Sequence, residues 1–175
     1  MASQTRKLEV ERELSMEFGF TEKEEAFRKE VRGFLRNVDF PVGWKGPLAA
    51  FETEENVAFS RDFFRKLGEK GWLTIGWPEE YVSKTRSFGE QVIYAKEMGY
   101  ALAPEHAQTH SWVGPTIAVL GSEEQKKEYL PGIARGELIF CLGLSEPNAG
   151  SDLAALQTRA VEDGDDYIIN GQKIY

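Results

Sequence analysis

The run Leu144-Ser-Glu-Pro-Asn-Ala-Gly-Ser-Asp152 puts a proline, two small residues, two hydroxyls and two carboxylates into nine positions. That is poor core material and good material for a tight loop. Pro147 fixes one dihedral and Gly150 permits positive φ, so successive N–H groups can converge on an anion. Ser145 and Ser151 add hydroxyls that donate or accept, and Asp152 can cap the next turn. Such a loop suits a phosphate or the polar edge of a heterocycle. Spacing alone leans toward a plainer reading, a strand-to-turn connection with self-satisfied Asx and Ser turns.

The other candidate groups read as structural. His106 and His110 have the i, i+4 spacing of two metal ligands on a helix, but no third ligand is suitably spaced, so capping or surface roles are expected and no metal. Cys141 sits in an apolar run and is expected as a small buried hydrophobe rather than a nucleophile. Phe63-Phe64, Trp72 and Trp77 are expected in the core rather than as a base-stacking platform. Glu22 to Glu25 suit a solvated helix start.

The elements that must hold the loop follow from periodicity and caps. Met1 to Phe20 is expected as a tail. Thr21-Glu-Lys-Glu24 is a capping box, followed by Phe27, Val31, Phe34, Leu35 and Val38 on one helical face. Pro41, Gly43, Gly46 and Pro47 break into a loop. A second helix is predicted from about Asn56 to Lys70, with Phe59, Phe63, Phe64 and Leu67 inward and Gly71 past its end. Ser87-Phe-Gly-Glu90 caps a third, whose predicted buried stripe is Phe88, Val92, Ala95, Gly99 and Leu102. A fourth is predicted from about Ala107 to Leu120. Ser122-Glu-Glu-Gln125 caps a short fifth that runs to Tyr129, before Pro131 and Gly136.

The period then changes. Leu138 to Leu144 is a continuous apolar run of strand length. Leu156 to Val161 alternates, Asp163-Gly164 offers a turn, and Tyr167 to Ile169 is a second strand. Asn170-Gly171 signals another hairpin, and Gln172 to Tyr175 begins a third strand. The fold class is therefore α+β: an all-α N-terminal domain of five or six helices over 21–137, joined to the first antiparallel strands of a β domain over 138–175. A chain that stops within a strand reads as a fragment of a longer protein, with a complete small α+β protein as the alternative.

Bulk properties narrow the function classes. The net charge is −8, with a pI near 5.0, which disfavours nucleic acid. No apolar stretch approaches the length that spans a bilayer, and the first residues lack the apolar core of a signal. Acidic residues there argue against a transit peptide. One cysteine fits a reducing compartment, so a cytoplasmic location is expected.

Residues Leu138 to Tyr175, with their Leu-Ser-Glu-Pro-Asn-Ala-Gly-Ser-Asp loop and the later Tyr-Ile-Ile-Asn-Gly-Gln-Lys-Ile-Tyr, resemble the acyl-CoA dehydrogenase family. Upstream, Gly71-Trp-Leu73 resembles the end of a family helix. Trp77-Pro-Glu-Glu-Tyr81 is similar to the connection P-E-x-Y-G, with Val82 where glycine is usual. Leu120-Gly-Ser-Glu-Glu-Gln-Lys-Lys-Glu-Tyr-Leu-Pro131 is similar to the segment G-T/S-E-E-Q-K-x-x-Y-L-P. The likeness runs from about Phe20 to Tyr175.

The resemblance implies an N-terminal helical domain, a middle β-barrel-like domain (here truncated) and a C-terminal four-helix domain. It implies FAD, bound between the β domain and the C-terminal helices. By position, Leu142 and Leu144 would offer backbone groups near the flavin. Ser145 would bond its ring system from the loop that also holds Gly150. Ser151 would meet FAD phosphate and lie close to the acyl-CoA substrate. Tyr175 would stand where the family places a Trp against the isoalloxazine, and Asn148 replaces a frequent glycine. The implied reaction is α,β-desaturation of an acyl-CoA thioester, with hydride passing to FAD.

The family's base is a glutamate in the C-terminal domain, so no catalytic residue is expected here and the chain alone is expected to be inactive. Glu146 is expected as a structural neighbour of the flavin site. Electron-transferring flavoprotein is the implied acceptor, and a homo-oligomeric dimer or tetramer the implied assembly. The alternatives are an acyl-CoA oxidase or flavin monooxygenase-like relative on the same fold, or a non-catalytic helical partner subunit without flavin.

Overall fold

A computed structural model describes residues 19–82, 84–105 and 108–174. The expected tail up to residue 18, His106 and Tyr175 lie outside them. The described residues form five α-helices followed by one antiparallel strand pair.

Helix α1, Glu22–Arg36, starts at the predicted capping box: the Glu24 N–H donates to Thr21 Oγ1 at 3.3 Å and the Thr21 N–H to the Glu24 carboxylate at 2.8 Å. Helix α2, Glu54–Glu69, begins slightly earlier than predicted because the Thr53 hydroxyl caps it. Gly71 ends it at φ +65°, a conformation that spares glycine the Cβ penalty. Helix α3, Phe88–Tyr100, has the predicted Ser87 and Glu90 box. The two capping boxes interlock, since the Ser87 hydroxyl donates to Glu24 at 2.8 Å. A Cβ at Gly89 would collide with that carboxylate, which is why the small residue sits there.

The buried face of α3 is not the predicted one. Phe88 is 79% and Val92 39% exposed, whereas Glu90, Ile93 and Glu97 are buried. The reason is pairing. Arg32 Nε lies 2.7 Å and Arg28 Nε 3.4 Å from the Glu97 carboxylate, both reaching across from α1. Glu90 takes the Ser87 N–H at 2.8 Å and Arg86 at 3.0 Å. A paired and hydrogen-bonded carboxylate can be buried where an isolated one cannot. Around this seam Phe27, Val31 and Leu35 of α1 pack with Phe63, Phe64 and Leu67 of α2, Trp72, Leu73 and Ile93. Trp72 takes Phe27 and Phe34 edge-on, at 5.9 and 5.4 Å between centroids.

The predicted fourth helix divides into a π-helical turn, Gln108–Val113, and helix α4, Gly114–Leu120. Helix α5, Glu123–Ala134, runs past its predicted end and through Pro131. Leu130 and Ile133 are buried with Trp77 and Ala118 in a second apolar cluster, so tertiary packing carries the helix over a missing N–H.

Strands β1, Arg159–Asp163, and β2, Asp166–Asn170, pair antiparallel with Val161 opposite Ile168. Gly164, at φ +67°, makes the predicted turn. Two strand expectations fail. Leu138–Leu144 forms no strand and has no ladder partner among the described residues, and Cys141 within it is exposed rather than buried. After Gly171 the chain does not fold back on β2; the Ile174 N–H instead donates to the Ser145 carbonyl at 3.0 Å.

Candidate functional site: the Leu144–Asp152 loop

The loop is built around Glu146. Its N–H and carbonyl exchange hydrogen bonds with Ala149 at 2.8 and 3.1 Å, closing a turn over Pro147 and Asn148. Its carboxylate accepts from the backbone N–H of Gln157 at 2.7 Å and of Thr158 at 2.9 Å, and from Lys173 Nζ at 3.0 Å. The neighbouring Thr158 side chain holds the Glu146 carboxyl down to about 2, helped by the two N–H donors and Lys173. The Thr158 hydroxyl stands beside the carboxylate without closing a well-formed hydrogen bond. Lys173 also donates to the Leu144 carbonyl at 3.0 Å. Glu146 is thus a fixed anion that ties the loop to the start of β1 and to the segment after β2. A group held so far below neutral pH and occupied by three donors is not poised as a base.

Around this anchor the sequence-predicted residues face outward. Leu142, Leu144, Gly150 and Ser151 are exposed and Ser145 is half-buried. Among the described residues no hydrogen bond engages the Ser145 or Ser151 hydroxyl, while the carbonyls of Leu144 and Ser145 are taken by Lys173 and Ile174. The loop therefore offers accessible hydroxyls on a backbone that is pinned at both ends. That arrangement fits a polar ligand laid against it with little ordering left to do. The structure brings Leu144, Ser145 and Glu146 together with Lys173; Tyr175 lies outside the described residues. A cavity of about 300 Å³ opens beside the anchor, lined by Glu146, Asn148, Thr158 and Gly171 among others.

The roles of Lys173 and Thr158 were not read from the sequence. Their signal was weak, since neither is near the loop in the chain and a lysine or threonine in a strand-like segment is ordinary.

A larger cavity of about 440 Å³ lies within the helical domain. Phe88, Val92, Ala95 and Met98 of α3 line one side of it, and Trp72 and Leu73 are among the residues that line the remainder. No group of three or more His, Cys, Asp or Glu among the described residues could hold a metal ion. No helix among them is long and apolar enough to cross a membrane.

Residues 21–137 match the family model of the acyl-CoA dehydrogenase N-terminal domain, and residues 141–175 that of the middle domain. The chain belongs to the acyl-CoA dehydrogenase family. It is 41% identical over 161 residues to "Acyl-CoA dehydrogenase FadE26" of Mycobacterium tuberculosis, covering 91% of this chain and 40% of that protein. Among solved structures, the ChsE4-ChsE5 complex from Mycobacterium tuberculosis superposes with a TM-score of 0.76 at 40% identity, over 91% of this chain and 39% of that one. A structure described as "Tcur3481-Tcur3483 steroid ACAD" gives a TM-score of 0.76 at 39% identity, over 91% and 41%. An acyl-CoA dehydrogenase complexed with FAD from Bacillus anthracis gives 0.63 at 28% identity, over 88% and 26%. The chain spans about two fifths of the length of the curated relatives it matches.

Proposed function

We propose that this chain supplies the helical domain and the flavin-side loop of an FAD-dependent acyl-CoA dehydrogenase. The observation that carries the reading is the Leu144–Asp152 loop in a chain of this family, pinned through Glu146 and presenting the Ser145 and Ser151 hydroxyls. When bound, the flavin supplies the hydride acceptor for α,β-desaturation of an acyl-CoA thioester. This chain's residues position it. Ser145 would donate from its hydroxyl to the flavin, with the backbone at Leu142 and Leu144 beside it, and Ser151 with Gly150 would hold phosphate and serve the acyl-CoA. Tyr175 would supply an aromatic face. Glu146 keeps the loop in place by holding Gln157, Thr158 and Lys173.

The apolar cavity behind the α3 stripe is part of the acyl pocket in this reading. It explains why Phe88 and Val92 turn away from the α1 seam. A steroid-bearing acyl-CoA is the substrate to assay first, because a solved relative at 39% identity is described as a steroid ACAD. Another solved relative is a complex of two differently named chains, which favours assembly with a second, related chain over a simple homo-oligomer. Electron-transferring flavoprotein is the proposed acceptor and the cytoplasm the proposed location. The test is retention of FAD and reduction of the bound flavin by acyl-CoA under anaerobic conditions. Transfer of the electrons to electron-transferring flavoprotein rather than to oxygen separates a dehydrogenase from an oxidase. A protein that takes up no FAD is instead the non-catalytic partner subunit.

A further inference from the structure

Thr109, in the π-helical turn, is completely buried. Its hydroxyl faces Phe140, accepting from the Phe140 N–H at 2.8 Å and donating to the Phe140 carbonyl at 3.3 Å. One side-chain oxygen thus serves both backbone groups of one residue, as a facing residue does in an antiparallel ladder. Phe140 belongs to the run Leu138–Leu144, which has no strand partner among the described residues. Its ring packs edge-on against Tyr129 of α5, at 5.9 Å between centroids, and Leu138 fills the space left by Gly132. From Phe140 the run passes Leu142 and Leu144 into Ser145.

The π turn is itself held in place. In the i→i+5 register the donor for the His110 carbonyl would come from Pro115, which has no N–H. The Trp77 indole donates to that carbonyl instead, at 2.7 Å. Gly114 makes room for the indole, since a Cβ there would come within 2.6 Å of Trp77 Cη2.

We propose that Thr109 is a positioning residue for the flavin-side loop. The π turn, locked by Trp77, presents the Thr109 hydroxyl as a one-residue strand edge that sets where Leu142, Leu144 and Ser145 stand. The functional half of this inference rests on the flavin reading above; the backbone half stands on geometry alone.

The test compares Thr109→Val, which keeps the shape and removes the hydroxyl, with Thr109→Ser, which keeps the hydroxyl, in the full-length protein. Amide exchange at Phe140 reports the backbone half; the visible spectrum and reduction potential of bound FAD report the functional half. Thr109→Val is expected to speed exchange at Phe140 by about tenfold, the equivalent of one lost hydrogen bond, and to shift spectrum and potential. Thr109→Ser is expected to stay with the wild type in both. If Thr109→Val fails to fold, Thr109→Cys takes its place with the same readings. Unchanged Phe140 exchange in Thr109→Val, or a Thr109→Ser protein that behaves like Thr109→Val, overturns the proposal. A wild-type protein that binds no FAD overturns the flavin reading, and is told apart because the exchange contrast at Phe140 survives.

Discussion

Replacing Trp77 and Trp44 by phenylalanine, one at a time, tests the local account of the π turn. Both indoles donate to a backbone carbonyl at nearly the same length, Trp77 to His110 at 2.7 Å and Trp44 to Leu102 at 2.8 Å. Trp77 is buried, whereas Trp44 is half-buried and its bond is open to water. The two substitutions remove the same atoms, but the buried Trp77 ring loses more packing than the half-buried Trp44 ring. The carbonyl left behind differs in the same direction. Water replaces the donor at Leu102, which limits that loss to about 0.5–1 kcal/mol. At His110 the carbonyl is part-buried and water reaches it less readily, so losing the Trp77 donor there costs more, about 1–2 kcal/mol. Trp77→Phe is expected to destabilise the protein by about 1–2 kcal/mol more than Trp44→Phe, a gap of about 2–8 °C in Tm. Urea unfolding followed by circular dichroism measures both without relying on tryptophan emission. Equal costs, or a larger cost for Trp44→Phe, would refute the argument that the Trp77 indole holds this turn.

Other outcomes follow from the same geometry. The Glu146 carboxyl is held at about 2 in the folded state against an ordinary 4.5, so its contribution is complete above pH 4.5 and lost as pH falls toward 2. Amide protection at Gln157 and Thr158 is expected to fall across that window, and Glu146→Gln to remove the transition; an unaltered transition in the variant contradicts it. Gly114→Ala is expected to cost about 1–3 kcal/mol through overlap with the Trp77 ring, read by denaturant unfolding. Leu102, at φ +50°, is the sole non-glycine residue with positive φ among those described. Leu102→Gly is expected to stay within about 1 kcal/mol of the wild type, because relief of that backbone offsets the lost side chain. Leu102→Val, branched at Cβ, is expected to be clearly worse in the same unfolding experiment.

Features encoded within a few residues were readable in the sequence. The capping boxes at Thr21, Ser87 and Ser122 are i, i+3 patterns, and each forms as written. The Asp163-Gly164 turn is equally local. Errors came where a distant partner decides. The α3 stripe was read from apolar spacing alone, which gives no weight to a buried glutamate, yet Arg28 and Arg32 of α1 neutralise Glu97 from far along the chain. Pro131 looked like a stop, but Leu130 and Ile133 bury on either side of it. The π register is invisible to a 3.6-residue period, and the Trp77 bond to the His110 carbonyl that goes with it comes from far along the chain.

The site shows the same division. Composition marked Leu144–Asp152 as a loop able to hold a polar ligand while spacing alone favoured a self-satisfied turn, and the roles of Ser145 and Ser151 came from the family resemblance. Composition did not reveal that Glu146 anchors the loop, because the donors come from Gln157, Thr158 and Lys173.

The most direct test of the central claim is the visible spectrum of the purified full-length protein, alone and after incubation with FAD. The account predicts flavin absorbance at about one FAD per site, red-shifted or structured relative to free FAD, and bleached by acyl-CoA under anaerobic conditions. It also predicts weaker FAD retention in a Ser145→Ala, Ser151→Ala protein that still folds. A colourless protein that acquires no flavin would contradict the account, as would a double variant that holds FAD as tightly as the wild type.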